Sequence, residues 1–289
     1  MSEYRAGVRM RRVCRELRKW RESAGLKATE AAKQLKWSPS KISRIEHAVQ
    51  APTSVETLAL ALTYGVPERD RDRLFAAVTT AQEGGWWSQY SDVLWDAAQD
   101  LIELEDEASS VRIFKAQLVP GLFQTGDYFA ALSENWLPKP KAEVSRQRSF
   151  IRETRQQRLT STNPLHVHAV LWEPLLHGAV GGPEVMRGQL RRLLELAELP
   201  HVRIQVLPTG AGAHPALGSE FVVLGFREEH LDDVVYFETL NRGDYAEESA
   251  AVQRHVDAFH IIQEAAMDCS ETRKLISRLL QQKKGNTCG

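Results

Sequence analysis

The sequence predicts two domains of different class: an all-α, five-helix N-terminal domain, and an α+β C-terminal domain built on a small mixed sheet. Three observations predict this. Five short segments with helical apolar spacing fall before residue 81, whereas strand-like apolar runs begin only after residue 110. Charge divides the same way: residues 1–50 hold 13 Lys/Arg against five Asp/Glu, a balance of +8, which leaves −9 on the rest of a chain whose total is −1. A polyanion is therefore drawn to one end of the molecule. The expected organisation is 1–81 for the helical domain, 82–110 for an aromatic and acidic linker helix, 111–282 for the α+β domain and 283–289 for a flexible polar tail.

The first helix is expected over about 8–24, with Val13, Leu17 and Trp20 on one face and Gly25 as its stop. Ala31, Ala32 and Leu35 make the apolar face of a second helix, and Ile42 and Ile45 that of a third. Trp37 sits between them as an apolar plug. Ser38 supplies a side-chain oxygen to cap the third helix, and Pro39 suits its first position. Thr53-Ser-Val-Glu56 is a capping box opening a helix to about 63 that carries Val55, Leu58, Leu60 and Leu62, and Gly65 stops it. Pro67 starts a fifth helix to about 81, with Leu74, Phe75 and Val78 inward.

This pattern leaves Ser38, Pro39, Ser40, Lys41, Ser43 and Arg44 facing away from the packed side of the third helix. Small hydrogen-bonding residues followed by Lys and Arg are what a helix reading the major groove needs. Arg5, Arg9, Arg11, Arg12, Arg15, Arg18, Lys19 and Arg21 are candidate phosphate contacts, which set affinity rather than sequence preference. Residues 25–46, and Ser38-x-x-x-Ile42-Ser43-Arg44-Ile45-Glu46 above all, resemble the Xre (Cro/repressor) family of helix-turn-helix regulators. The resemblance implies that the helix at about 39–47 enters the groove of double-stranded DNA. It also implies a phosphate contact at the start of the preceding helix. Ala28 departs from the Gln often found there, and Lys27 replaces that contact as a point charge.

Residues 82–110 open on Gly84-Gly85-Trp86-Trp87, followed by Tyr90, Trp95 and seven carboxylates between Asp92 and Glu107. The aromatics are expected to pack one domain on the other; the sharper alternative makes Trp86, Trp87, Tyr90 and Trp95 a ligand or partner site. The acidic run reads as a solvated face, with a basic partner or the basic domain itself as other occupants. Beyond it, Val111–Val119 reads as extended, and Asp127–Trp136 and Ala142–Thr160 as helical. Leu165–Leu171, a helix over 183–198 with Met186, Leu190, Leu193, Leu194 and Ala197 inward, and Val202–Leu207 form a β-α-β unit whose strands should be parallel. Phe221–Phe226 and Val234–Phe237 have hairpin-like spacing, and helices at about 246–267 and 270–282 close the domain.

Leu118–Thr125, Gly181–Leu190, Leu207-Pro208 with Gly212–Gly218, and Asp233–Glu238 resemble actinobacterial Xre-type regulators with an Scr1-like C-terminal domain, the WhiJ-like regulators among them. That resemblance implies a transcriptional regulator paired with a small acidic protein encoded nearby, in an antitoxin-like module.

No nucleophile-elbow, zinc-protease, phosphate-loop or dinucleotide glycine pattern occurs, so no catalytic residue, cofactor or metal is expected. His166 and His168 share a strand face but read better as structural than as metal ligands. His214, before Pro215 in a glycine-rich loop, is weighed between a turn role and ligand binding, and Glu173-Pro174 is only a lone carboxylate at a strand end. No apolar run spans a membrane, the basic N-terminus lacks a signal core, and Cys14, Cys269 and Cys288 lack metal spacing; a reduced, cytoplasmic protein is expected. The resulting expectation is a homodimeric, sequence-specific DNA-binding transcriptional regulator modulated by a ligand or partner. The alternative is an antitoxin-like interaction protein that chiefly sequesters its cognate partner.

Overall fold

A computed structural model describes residues 6–136, 138–227, 232–239 and 243–285. The chain divides into two compact units, residues 1–91 and 92–289. The first is helical: α1 (Val8–Ser23), α2 (Ala28–Leu35), α3 (Pro39–Glu46), α4 (Ser54–Thr63) and α5 (Glu68–Glu83), then a 3-10 turn at Trp86–Tyr90. Gly25 follows α1 with φ +68°, the left-handed geometry that releases the chain toward α2. The expected capping box is present: Glu56 N donates to Thr53 Oγ1 at 3.1 Å, and Thr53 N to Glu56 Oε2 at 2.8 Å. The core gathers Val13, Cys14, Leu17, Ala31, Ala32, Ile42, Ile45, Leu60, Leu74 and Val78. Burial pushes the Cys14 thiol up to about 12, so it remains an inert core group.

One expectation about this core is corrected, and one apolar set divides between core and surface. Phe75 is 44% exposed rather than inward, because Leu74 and Val78 already fill the inner face of α5. On α4 only Leu60 of the four expected apolar residues is buried; Val55, Leu58 and Leu62 form an outward stripe.

The second unit contains α6 (Asp96–Glu107), β1 (Ser110–Lys115), α7 (Gly126–Ser133), α8 (Ala142–Gln156), β2 (His166–Trp172), α9 (Glu173–His177), α10 (Gly182–Leu196) and β3 (Val202–Leu207). It continues with β4 (Phe221–Gly225), β5 (Val234–Glu238), β6 (Gly243–Ala246), α11 (Ser249–Ala265) and α12 (Cys269–Gly285). The six strands form one mixed sheet in the order β3-β2-β1-β4-β5-β6. β1, β2 and β3 are mutually parallel through helical crossovers, and β4, β5 and β6 add antiparallel. The expected β-α-β unit is therefore present. Phe259 and Ile262 of α11 bury one sheet face against Phe114, Val170, Phe221, Val223 and Val235. Val111, Ile113, Ala169, Leu171, Ile204 and Val206, which alternate with that set, are buried as well. Burial on both faces explains why these strands read as continuous apolar runs.

The α10 inner face uses Leu196 and Gln189 where Leu194 and Ala197 were expected; the latter two are only half-buried. The helix α12 runs to Gly285, into the stretch expected as a tail, and residues 286–289 of that tail lie outside the described residues. The acidic face of α6 is not simply solvated, since Asp100, Glu103 and Glu105 are buried. Glu105 accepts two bonds from Arg155, at 2.7 and 2.8 Å.

His168 on β2 belongs to a polar cluster beneath α11. Its Nε2 meets Gln205 Oε1 at 2.7 Å, Gln205 Nε2 donates to Met267 O at 2.9 Å, and the imidazole stands edge-on to Phe259. Burial pulls the His168 pKa down from 6.5 to about 4, against the opposing effect of Gln205, so the folded unit holds the neutral ring. The unfolded chain binds more protons than the folded one between those values, and stability is lost as pH falls through that window. Thermal unfolding of the full chain from neutral pH to about 4 should show the second unit losing about 2 kcal/mol more than a His168→Gln protein. Parallel pH profiles in the two proteins would remove His168 as the cause.

Candidate nucleic-acid interface

The helix expected to read DNA is set by what holds its inner side. Ile42 and Ile45 are fully buried, and Glu46, one residue on, is 5% exposed. Arg21 of α1 grips the Glu46 carboxylate with Nε at 2.8 Å and Nη2 at 2.9 Å, while its Nη1 donates to Leu26 O at 2.8 Å. The Tyr64 hydroxyl, just past α4, donates to the same carboxylate at 2.8 Å. Burial and the adjacent carboxylate push the Tyr64 hydroxyl well above its usual range, which keeps it a donor. One carboxylate thus ties α3 to α1, to the α1–α2 loop and to the end of α4.

The outer side follows from the helical repeat. Ser38, Pro39, Ser40, Ser43 and Arg44 are all exposed. Ser38 caps α3 as expected, its Oγ accepting from Lys41 N at 3.2 Å, and it lies 3.1 Å from Ser40 Oγ. Arg44 Nε donates to Gln50 Oε1 at 3.3 Å, a long bond at an exposed position. Lys41 departs from the expected outward set. It is half-buried, forms a salt bridge with Glu56 of α4, and its ammonium stands 4.1 Å over the Trp37 ring. The plug between the helices thereby also gathers in a cation.

Lys27 is exposed at the start of α2, where its backbone N–H donates to Glu30 Oε2 at 2.7 Å and its side chain stays outward. On α1 only Arg18 and Lys19 are exposed cations; Arg9, Arg11, Arg12 and Arg15 are half-buried and Arg21 is committed to Glu46. Arg5 lies outside the described residues. Among the described residues the exposed positive charge of this unit is therefore carried by Arg18, Lys19, Lys27, Lys33, Lys36, Arg44 and Arg69. A feature missed in the sequence brackets α3: Lys36 and Ala48, neither a glycine, hold φ of 56° and 55°. Left-handed geometry there lets Trp37 N donate to Ala32 O at 2.9 Å and Val49 N to Arg44 O at 2.8 Å, closing α2 and α3 abruptly.

The aromatic candidates are divided between the two units. Trp86, Trp87 and Tyr90 belong to the first unit, whereas Trp95 and His214 belong to the second. Trp87 is a buried side chain with the Arg9 guanidinium 5.2 Å over its ring and Trp86 edge-on at 5.8 Å. Gly85 is needed beside it, since a Cβ there would lie 2.2 Å from the indole. Trp95 is exposed ahead of α6. His214 stands edge-on to Phe114, with its backbone oxygen accepting from Leu217 N at 3.0 Å in a turn and its buried Nδ1 without a hydrogen-bond partner among the described residues. Glu173 accepts from the backbone and hydroxyl of Thr209, at 2.9 and 3.1 Å, which is a loop-holding role. Among the described residues no group of His, Cys, Asp or Glu side chains could hold a metal ion, and no helix is long and apolar enough to cross a membrane.

Two family models match this sequence. A helix-turn-helix domain matches residues 12–74, and a domain of unknown function, DUF5753, matches residues 98–278. No curated protein and no solved structure matches it. The helix-turn-helix match runs from within α1 through α4 to the first part of α5, and includes the exposed Ser40, Ser43 and Arg44 of α3.

Because Glu46 is buried among three donors, Glu46→Gln should destabilise the first unit by about 2–3 kcal/mol, as Arg21 would keep its charge and lose its buried counter-ion, with only the half-exposed Glu22 left 3.6 Å away. Denaturant unfolding followed by tryptophan fluorescence checks this, and an unchanged midpoint would mean that the carboxylate does not organise α3.

Proposed function

The chain belongs to the DUF5753 family, and from that membership and the helix-turn-helix domain ahead of it we propose that it is a sequence-specific transcriptional regulator. The observation that carries this reading is the division of α3 into a locked inner side and an exposed Ser40/Ser43/Arg44 side. In this reading Ser40, Ser43 and Arg44 meet base edges, with Ser38 and Pro39 at the approaching end of the helix. Lys27, Lys33 and Lys36 meet phosphates. Lys41 is held by Glu56 and acts on the DNA as a fixed neighbouring charge, with Trp37 positioning it. The regulator is an Xre-type homodimer on a two-fold operator, with the second unit as an Scr1-like effector domain, cytoplasmic and without catalytic chemistry.

A second reading, an antitoxin-like protein that sequesters a small acidic partner encoded nearby, is favoured by one observation. Leu118 and Leu217 are exposed in loops that also carry the family-like motifs, and Glu220 joins those loops by accepting from Ala116 N at 2.8 Å and Gln117 N at 2.7 Å. Co-purification of the two proteins, with Leu217→Asp as the variant, tests it. Retention of the partner by parent and variant alike would exclude this loop pair from the contact.

The first reading is tested by gel shifts on DNA from the chain's own promoter over a salt series. Arg44→Ala should cost about 1–3 kcal/mol and relax the sequence preference. Lys27→Ala should weaken all sequences alike and lower the log–log salt slope by about 1. An Arg44→Ala protein that binds and discriminates like the parent would overturn the assignment.

A further inference from the structure

The helix α8 places Arg148, Arg152 and Arg155 one turn apart along a single face, at spacings of four and three residues. Arg155 shows what a structural arginine looks like there: its fork closes on Glu105 at 2.7 and 2.8 Å. The other two are left open. Arg152 donates Nη1 to Gln124 Oε1 at 2.7 Å, and its buried Nε has no hydrogen-bond partner among the described residues. Arg148 donates Nε to Val93 O at 3.1 Å. Neither has a carboxylate within ion-pair distance among the described residues; Glu105 is committed to Arg155.

Both guanidiniums instead stand over aromatic rings. Arg152 stands 4.0 Å from the Phe129 centroid and Arg148 5.0 Å from that of Trp136, and the two rings meet edge-on at 5.5 Å. The cation–π attraction holds each guanidinium over its ring without consuming an N–H donor. We propose that Arg148 and Arg152, oriented by Trp136 and Phe129, are the oxyanion-binding end of a small-ligand site in the second unit, taking a phosphate or carboxylate group. Burial, with Arg155 alongside, pulls the Arg152 pKa down to about 9 against the weaker opposing pull of Glu105 and Glu238, and a bound oxyanion would raise it again. Planar forks suit bidentate oxyanions, which is why arginine rather than lysine matters at these positions.

The site supplies the effector half of the reading above and rests on it only for what binding would do; binding itself is measured without DNA. Calorimetric titrations of the full chain with inorganic phosphate and with citrate, at constant ionic strength, are the test. Saturable binding of at least one probe is expected, weakened about ten- to a hundredfold in Arg148→Lys and in Arg152→Lys. Arg44→Ala, in the first unit, and Arg146→Gln, exposed on the same helix and paired with Glu143, should bind like the parent. No saturable binding of either probe would overturn the proposal. So would a loss of binding in Arg44→Ala with Arg148→Lys and Arg152→Lys unaffected, which would place the anion at the helix-turn-helix unit.

Discussion

The first unit depends on one buried carboxylate. Glu46 receives four hydrogen bonds, three from Arg21 and one from Tyr64, and through them the third helix is fixed against the first and the fourth. Apolar packing of Ile42 and Ile45 attracts α3 to the core but does not set its rotation, because contacts between apolar groups carry little direction. A bidentate ion pair is directional. It fixes the angle at which Ser40, Ser43 and Arg44 leave the surface, and so couples an internal charge to the external face of the helix. Desolvating Glu46 and Arg21 has a cost, and the Leu26 carbonyl and Tyr64 hydroxyl offset it by satisfying the remaining polar atoms.

Much of this architecture was legible in the sequence because its signals are local. The Ser38 cap with Pro39, the Thr53–Glu56 box and Gly25 each specify a helix end within four residues, and the apolar runs at 165–171 and 202–207 specify buried parallel strands. What escaped depended on partners distant in sequence. Lys41 looks outward by periodicity, yet Glu56, fifteen positions on, draws it in. The α6 carboxylates look solvated until Arg155, fifty positions away, is placed beside Glu105. β6 escaped because Gly243–Ala246 is half-buried throughout and carries no apolar alternation. The arginine face of α8 appeared only as composition; the contrast between a closed and an open fork needs coordinates.

The two units settle their polar groups differently. In the first, one ion cluster serves a surface helix. In the second, single amides join the loops alongside the Glu105–Arg155 pair: Gln189, fully buried, accepts from Thr125 N and donates to Phe123 O, both at 2.8 Å, and Gln156 donates to Gly121 O and Gln124 O. Such bonds hold irregular loops against regular helices, where apolar packing alone would leave several arrangements close in energy. The segment after β1 is thereby held to α8 and α10 at the place where Arg152 leaves its helix.

The junction between α11 and α12 has a consequence for the sheet. On the outer side of β3, Met267 N donates to Val206 O at 2.8 Å and Val206 N donates to Thr272 Oγ1 at 3.0 Å. Those are the backbone groups through which a further strand would dock. The C-terminal helices thus act as a doorstop on the β3 border of the sheet. Lateral growth through Val206 is closed off by the chain's own backbone and a threonine hydroxyl, so the parallel half of the sheet ends where β3 ends.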